Sequence, residues 1–136
     1  MSNFKILATS VALLGLGAQS LQSASAEDGA IVAPLISKDL ADVPGKEMLM
    51  ITVVYPPGYA GPIHRHDAHS LIYVLEGSVV MGVRGGKEVT LKTGQTFYEG
   101  PNDVHTVGRN ASASQPAKLV VVLLKKKGAD VVLPAE

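Results

Sequence analysis

The sequence predicts an all-β fold, and three observations support that class. Short runs of apolar and β-branched residues recur along the chain, each bounded by Gly, Pro, Asn or Ser. These turn residues return at intervals of roughly 8–12 positions, as they do in a β-sandwich or a small barrel. No stretch keeps the 3.6-residue period of a helix for more than two turns. A chain of 136 residues, 46% of them hydrophobic, is expected to form one domain around one core.

The expected strands follow one another along the chain. The first lies near residues 31–36, and the second, at 48–55, is stopped by Pro56. Gly85-Gly86 lies between two later apolar runs, where a two-residue hairpin turn needs positive φ angles that Gly adopts without steric cost. The sequence therefore predicts an antiparallel hairpin there. The further strands are expected at residues 71–75, 79–83, 88–91 and 118–124.

The first 26 residues have the features of a secretory leader. Lys5 precedes an apolar run over residues 6–16, and the small residues 24–26 precede the acidic Glu27. Polar residues interrupt the run before it reaches the about 20 apolar residues that a membrane span needs. We expect residues 1–26 to be a signal peptide, an uncleaved membrane anchor being the alternative. Residues 27–136 are then a single periplasmic or secreted domain with no membrane association.

Charge and composition exclude several classes of function. Twelve basic residues balance twelve acidic ones, so no positive surface is available for phosphates and we expect no nucleic-acid partner. The chain has no Cys, which excludes disulfides, thiolate metal sites and cysteine nucleophiles. The four histidines and the carboxylates remain as ligands and catalysts. Because several strands are apolar on both faces, we also expect a second subunit to cover the outer face, which predicts a homodimer.

Three of the four histidines lie within six positions. In an extended segment His64 and His66 project to the same side, since side chains alternate between the two faces. Hairpins can bring His105 opposite this pair. Three neutral imidazoles around one point would bind a divalent transition metal and leave coordination positions open. The alternative is that these histidines are polar residues of a surface loop beside a Pro turn.

Two longer motifs, in the same order, resemble those of the cupin superfamily. The segments that carry the resemblance are Gly58-x5-His64-x-His66 with Tyr73-Val74-Leu75-Glu76-Gly77, and Gly94-x5-Gly100-Pro101-Asn102-x2-His105. The short hairpin between them is similar to that of small, single-domain microbial cupins of the quercetin-dioxygenase-like kind. This resemblance implies a double-stranded β-helix, or jelly-roll, barrel with a metal inside its mouth at His64, His66 and His105. Homodimers are common among such proteins.

The chain departs from the first cupin motif at its carboxylate ligand, where Ser70 replaces the usual Glu. Glu76 lies at a strand end where the family has no ligand, and Glu99 directly precedes a turn, so we expect neither to replace it. Loss of an anionic oxygen favours Fe, Ni, Cu, Co or Zn over Mn. By strand parity His69 faces away from the site, but a turn at residues 67–68 would make it a fourth ligand. Otherwise it would donate a hydrogen bond from outside the coordination sphere.

Together with the expected leader, the resemblance implies an exported, metal-dependent enzyme of oxygenase type that acts on a small organic molecule at the three-His site. Tyr98 or Glu99 is a candidate polar contact for the substrate. The alternative function is a non-catalytic module of the cell envelope that binds or senses a metal or a small molecule, since no general base, nucleophile or oxyanion hole is recognisable beside the histidines. Strand alternation predicts apolar cavity walls, each of which could equally be plain core, at Ile72, Val74, Met81, Phe97 and Val107.

Overall fold

A computed structural model describes the backbone of residues 25–27 and all of residues 29–135. All the secondary-structure elements in these ranges are β-strands, so the all-β prediction is confirmed. The described ranges contain no helix that is long and apolar enough to cross a membrane. The signal peptide predicted for residues 1–26 lies outside the described residues, except for the last two positions, and stays a prediction.

The strands form two antiparallel sheets that face each other. The large sheet contains, in spatial order, β1 (Ser25–Glu27), β2 (Ala30–Asp39), β3 (Lys46–Tyr55), β10 (Ala117–Lys126), β5 (Ala68–Glu76) and β8 (Thr96–Glu99). The small sheet contains β11 (Leu133–Pro134), β4 (His64–Arg65), β9 (Val104–Asn110), β6 (Ser78–Val83) and β7 (Val89–Lys92). Strands that follow one another along the chain often lie in opposite sheets, as in the jelly-roll barrel that the resemblance implies.

The core lies between the sheets and follows from strict alternation on the strands. On β5 every second residue from Ala68 to Val74 is buried, and on β10 the same holds from Ala117 to Lys125. Val79 and Met81 of the small sheet close the core from the other side. Burial of each large aliphatic side chain contributes about 1.5–3 kcal/mol to folding.

Gly77 allows the chain to pass from one sheet to the other between β5 and β6. Its φ of +74° lies in the left-handed region, which side chains rarely adopt. A methyl group on Gly77 would also lie 2.7 Å from the carbonyl oxygen of Pro116. Only Gly fits both the backbone conformation and the close approach, so this residue sets the crossover between the sheets.

The hairpin predicted at Gly85-Gly86 is present, but its connection is longer than two residues. β6 pairs with β7 from Ser78↔Lys92 to Met81↔Val89, so residues 84–88 all lie outside the paired register and the strands. Gly85 has the expected positive φ of +80°. The strands β1, β4, β8, β9 and β11 were not expected from the sequence, because they are short or contain polar residues.

Candidate metal centre

Strand pairing brings the three sequence-predicted histidines together. His64 on β4 is the direct partner of His105 on β9, so their side chains lie side by side on the inner face of the small sheet. His66 follows two positions after His64 and projects to the same side. One ring nitrogen from each residue lies within 4.8 Å of the others, so the three histidines form a group that could hold a metal ion.

Backbone carbonyl groups determine which nitrogens face the centre. Nδ1 of His64 donates a hydrogen bond to the carbonyl oxygen of Pro62 (2.9 Å), and Nδ1 of His66 donates to that of Val131 (2.5 Å). Because a carbonyl oxygen can only accept, each Nδ1 carries the proton and each Nε2 presents a lone pair. This is the usual way in which a metal-binding histidine is oriented by a partner behind it.

The separations between the inner nitrogens match those of a shared metal ion. Nε2 of His64 lies 3.1 Å from Nε2 of His66 and 3.4 Å from Nδ1 of His105. Two nitrogens bound at about 2.0–2.1 Å to one ion, at angles of about 90–110°, lie about 2.9–3.4 Å apart. Two lone pairs at 3.1 Å repel each other unless a cation lies between them, so the residues present fit a metal.

Burial keeps His66 and His105 neutral. Desolvation, followed by repulsion from His64 and His66, lowers the pKa of His105 to about 4. Desolvation also lowers the pKa of His66. Neutral imidazole is the form that binds metals, so these rings are available as ligands at neutral pH without first losing a proton.

Glu99, expected from the sequence only as a candidate polar contact for the substrate, lies close enough to the histidines to be a ligand. The residue is only 3% exposed, and its carboxylate oxygens lie 3.1 Å from Nδ1 of His105 and 3.5 Å from Nε2 of His66. Burial, with a smaller contribution from the carboxylate of Asp103, raises the pKa of Glu99 to about 7. The expectation that Glu99 does not replace the missing carboxylate ligand is therefore not supported by this geometry.

A tight turn positions Glu99 relative to His105. The backbone N–H of Gly100 donates to the Asp103 carboxylate (2.7 Å), and the N–H of Asp103 donates back to the carbonyl oxygen of Gly100 (3.1 Å). This turn joins the end of β8 to the start of β9. Glu99 before the turn and His105 shortly after it are therefore both buried inside the barrel. The available sequence signal was alternation, which puts Glu99 on the same face of β8 as Phe97.

The neighbours Ser70 and His69 face opposite sides of strand β5. Ser70 is fully buried on the inner face of β5, and its hydroxyl has no hydrogen-bond partner among the described residues. His69 lies on the outer face, where Nδ1 is 2.7 Å from the Tyr98 hydroxyl. The idea that His69 turns inward as a fourth ligand, or as a donor behind one, is wrong, because burial alternates strictly from Ala68 to Val74 and puts His69 on the exposed face. Glu76 is exposed at the far end of the strand.

A cavity of about 490 Å³ extends from the histidines between the two sheets. Its walls are mostly aliphatic, and its lining includes no Lys or Arg. Tyr55 and Tyr59 contribute phenol rings whose centroids are 4.6 Å apart, and burial raises the pKa of Tyr55. The lining residues are Ala30, Val32, Pro34, Leu49, Ile51, Val53, Tyr55, Tyr59, Pro62, His64, His66, Ile72, Met81, Glu99, His105, Leu119, Val121, Leu123, Val131 and Val132.

Two of the five predicted wall residues, Ile72 and Met81, line this cavity. Val74 is fully buried core, and Phe97 packs against the core without lining the cavity. Val107 is displaced because the pairing of β6 with β9 is irregular between Gly82↔Val107 and Val83↔His105, which breaks the alternation counted from His105. Of the two candidate polar contacts, Tyr98 lies on the outer face, and Glu99 alone reaches the cavity.

Comparison with known proteins gives the family. Residues 51–123 match the family model described as a cupin domain. The chain is 36% identical over 62 residues to the pectin degradation protein KdgF of Dickeya dadantii (strain 3937), a match over 45% of this chain and 56% of that relative, about half its length.

Many solved structures share the fold, among them the following two. An RmlC-like cupin from Shewanella frigidimarina NCIMB 400 is 16% identical and superposes with a TM-score of 0.59 over 87% of this chain and 95% of its own. The DMSP lyase DddQ from Ruegeria pomeroyi DSS-3 is 21% identical, with a TM-score of 0.57 over 63% of this chain and 42% of its own. Family model, motifs and fold agree, and the chain belongs to the cupin family.

Proposed function

We propose that this protein is an exported, metal-dependent enzyme of oxygenase type that acts on a small, largely apolar organic molecule. The observation that carries the proposal is the convergence of ring nitrogens of His64, His66 and His105 in the lining of a largely aliphatic cavity. A divalent transition metal bound there would supply the Lewis-acid or redox chemistry that the side chains lack.

The chain's own contribution is orientation and the exclusion of water. The carbonyl groups of Pro62 and Val131 hold the rings of His64 and His66 from behind, so the ligands are in place before a metal arrives. The aliphatic walls exclude water from the reacting end of a substrate. Electrostatic interactions at the centre are stronger in such a dry site than in solution.

The cavity lining favours a substrate with a pair of neighbouring oxygens at one end and a largely apolar body. A substrate with several carboxylates would find no Lys or Arg on these walls. Flavonols and β-diketones have the favoured chemistry, because adjacent oxygens can face the histidines while the remainder packs against Ile51, Ile72 and Leu119. A volume of about 490 Å³ lies within the range of small-molecule sites.

Oxygen uptake by protein loaded separately with Fe, Ni, Cu, Co or Zn, in the presence of such a panel, tests this function. We expect uptake with at least one metal and its loss in the variant His105→Ala. The variant His69→Ala is the matched control, because that ring lies on the outer face. Metal binding without oxygen uptake across the panel would reject the oxygenase function.

The second candidate is a non-catalytic metal- or ligand-binding module, and Glu99 is the observation that favours it. A fourth ligand-type group beside three histidines could close a four-coordinate site, as in structural metal centres. The spectrum of the cobalt-loaded protein distinguishes the two. A four-coordinate spectrum that small anions do not alter supports the binding module, whereas an exchangeable water supports catalysis.

We also propose a homodimer that forms through the outer apolar face of the large sheet. This face comprises Leu71, Tyr73, Tyr98, Val120 and Val122, and Leu71 is 58% exposed in the single chain. Contiguous apolar surface of this kind is unfavourable in water and favours a second copy. Light scattering should give twice the chain mass for the native protein and for Val89→Lys in the small sheet, and the monomer mass for Leu71→Lys. A monomeric native protein would reject the dimer.

Export is supported by the leader features of residues 1–26 alone. N-terminal sequencing of protein recovered from periplasm and medium should give a mature chain that begins at Glu27. A full-length chain in the membrane fraction would indicate the uncleaved anchor.

A further inference from the structure

We propose that Glu99 is the anionic ligand of this metal centre and takes the place of the carboxylate that cupins carry at the position of Ser70. The inference rests on the metal site of the proposed function, but it concerns a different residue. In this chain the carboxylate has moved from strand β5 to the neighbouring strand β8.

The pairing of the two strands places the old and the new positions side by side. Ser70 of β5 is the direct register partner of Glu99 of β8, and both side chains are buried on the inner face. Directly opposed residues in antiparallel strands have Cβ atoms about 4.5–5.5 Å apart. A carboxylate on either strand can therefore reach the same point, and a residue as small as Ser70 leaves the space free for the Glu99 side chain.

The polar atoms around Glu99 lack the hydrogen bonds that a closed side-chain network would have. Oε1 of Glu99 and the Ser70 hydroxyl are buried and have no hydrogen-bond partner among the described residues, although Oε1 is 3.1 Å from Nδ1 of His105. Nε2 of His66 cannot donate to Oε2, because its proton is on Nδ1. Buried acceptors that face one another are costly unless a cation lies between them.

The four groups together form the donor set that a divalent ion needs. Nitrogens of His64, His66 and His105 surround the centre, and the oxygens of Glu99 lie 3.1 and 3.5 Å from two of those nitrogens. These separations agree with oxygens and nitrogens that share one ion at about 2.0–2.2 Å. Glu99 also reduces the net charge of the centre from +2 to +1. The absence of a carboxylate at Ser70 was expected to weaken binding of Mn. A carboxylate ligand from Glu99 removes that reason.

Exchange of the two residues tests the proposal without any activity measurement. The affinity for Co²⁺ and Mn²⁺ is measured by calorimetry, the metal content by elemental analysis and the coordination by the cobalt absorption spectrum. We expect Glu99→Ser to weaken binding by more than the roughly 10–100-fold that is typical for loss of a group behind a ligand. The double variant Ser70→Glu/Glu99→Ser should recover most of the affinity, because its carboxylate reaches the centre from β5.

Two further variants keep the test decisive. Glu99→Gln has nearly the same shape as the native residue and reports the loss of charge if Glu99→Ser does not fold, as judged by circular dichroism. Glu76→Gln removes an exposed carboxylate from the end of β5 and should bind metal as the native protein does. Native affinity and an unchanged cobalt spectrum in Glu99→Gln or Glu99→Ser, with binding lost in His105→Ala, would overturn the role of Glu99 and leave the three-His centre intact. Native protein that binds no metal would overturn both proposals.

Discussion

Gly108 controls the position of the His105 ring, and its replacement by Ala tests whether that position sets metal affinity. A methyl group on Gly108 would lie 2.8 Å from Cε1 and 3.1 Å from Nε2 of His105. Both separations are shorter than an ordinary van der Waals contact. The backbone of Gly108 does not require positive φ, so the ring contact is the main obstacle to the substitution.

The size of the effect follows from the contact distance. An ordinary contact begins at about 3.4 Å, so His105 must move by about 0.6 Å to accept the methyl group that the substitution adds. Metal–ligand distances tolerate only about ±0.2 Å. We therefore expect the affinity for Co²⁺ to fall roughly 10–100-fold, as it does when a ligand loses its support, which is about 1.4–2.7 kcal/mol.

Gly82→Ala is the matched control on the adjacent strand. Its methyl group would meet Cγ of Glu88 at 3.4 Å and Cβ of Val107 at 3.5 Å, which are ordinary contacts. Calorimetric titration with Co²⁺ gives the affinities, and far-UV circular dichroism monitors the fold because the chain has no Trp. Native affinity in folded Gly108→Ala, or an equal loss in Gly82→Ala, would refute the reasoning.

Three other predictions concern ligand loss, pH and a buried amide. His105→Ala should lose tight metal binding while keeping the β-sheet circular dichroism spectrum; full metal occupancy by elemental analysis would show that another residue is the ligand. Burial lowers the pKa of His105 from 6.5 to about 4. Between these two pH values the unfolded chain binds a proton that the folded chain does not bind. The metal-free protein should therefore lose stability as the pH falls through this range. Glu99, whose pKa is raised from 4.5 to about 7, opposes this trend, because the folded chain binds its proton first as the pH falls. Urea unfolding between about pH 7 and 5 should thus show a steeper loss in Glu99→Gln, and equal slopes would contradict the assignment. Asn110 places its side-chain amide among the carbonyl oxygens of Tyr55, Pro56 and Gln115, and Asn110→Ala should lower the free energy of unfolding by roughly 1–3 kcal/mol with metal affinity unchanged.

Local sequence patterns were sufficient wherever the relevant interaction is local. Alternation placed His64 and His66 on one face, and the apolar runs located the long strands β3, β5 and β10.

Asn110 shows the limit of a short motif. It begins an Asn-Ala-Ser pattern that is typical of exposed glycosylation sites, yet its side chain is buried and holds three backbone carbonyl groups.

The positions of Glu99 and Val107, which local patterns did not give correctly, depend on pairing between distant strands. Glu99 reaches the centre because β8 pairs with β5, which places it opposite Ser70, a partner 29 positions earlier. Val107 leaves the cavity wall because the pairing of β6 with β9 shifts by one residue. Neither pairing nor shift produces a signal in the residues nearby.

By itself, the sequence determined the all-β class, the two cupin motifs and the three histidines, because alternation and turn chemistry act over a few neighbouring residues. Only the tertiary structure decided which carboxylate faces those histidines and that His69 does not. The register of β5 against β8 and β10 settles both points. Register is set by the packing of whole strands against the core, and a change of one residue would reverse the face of every side chain on the strand.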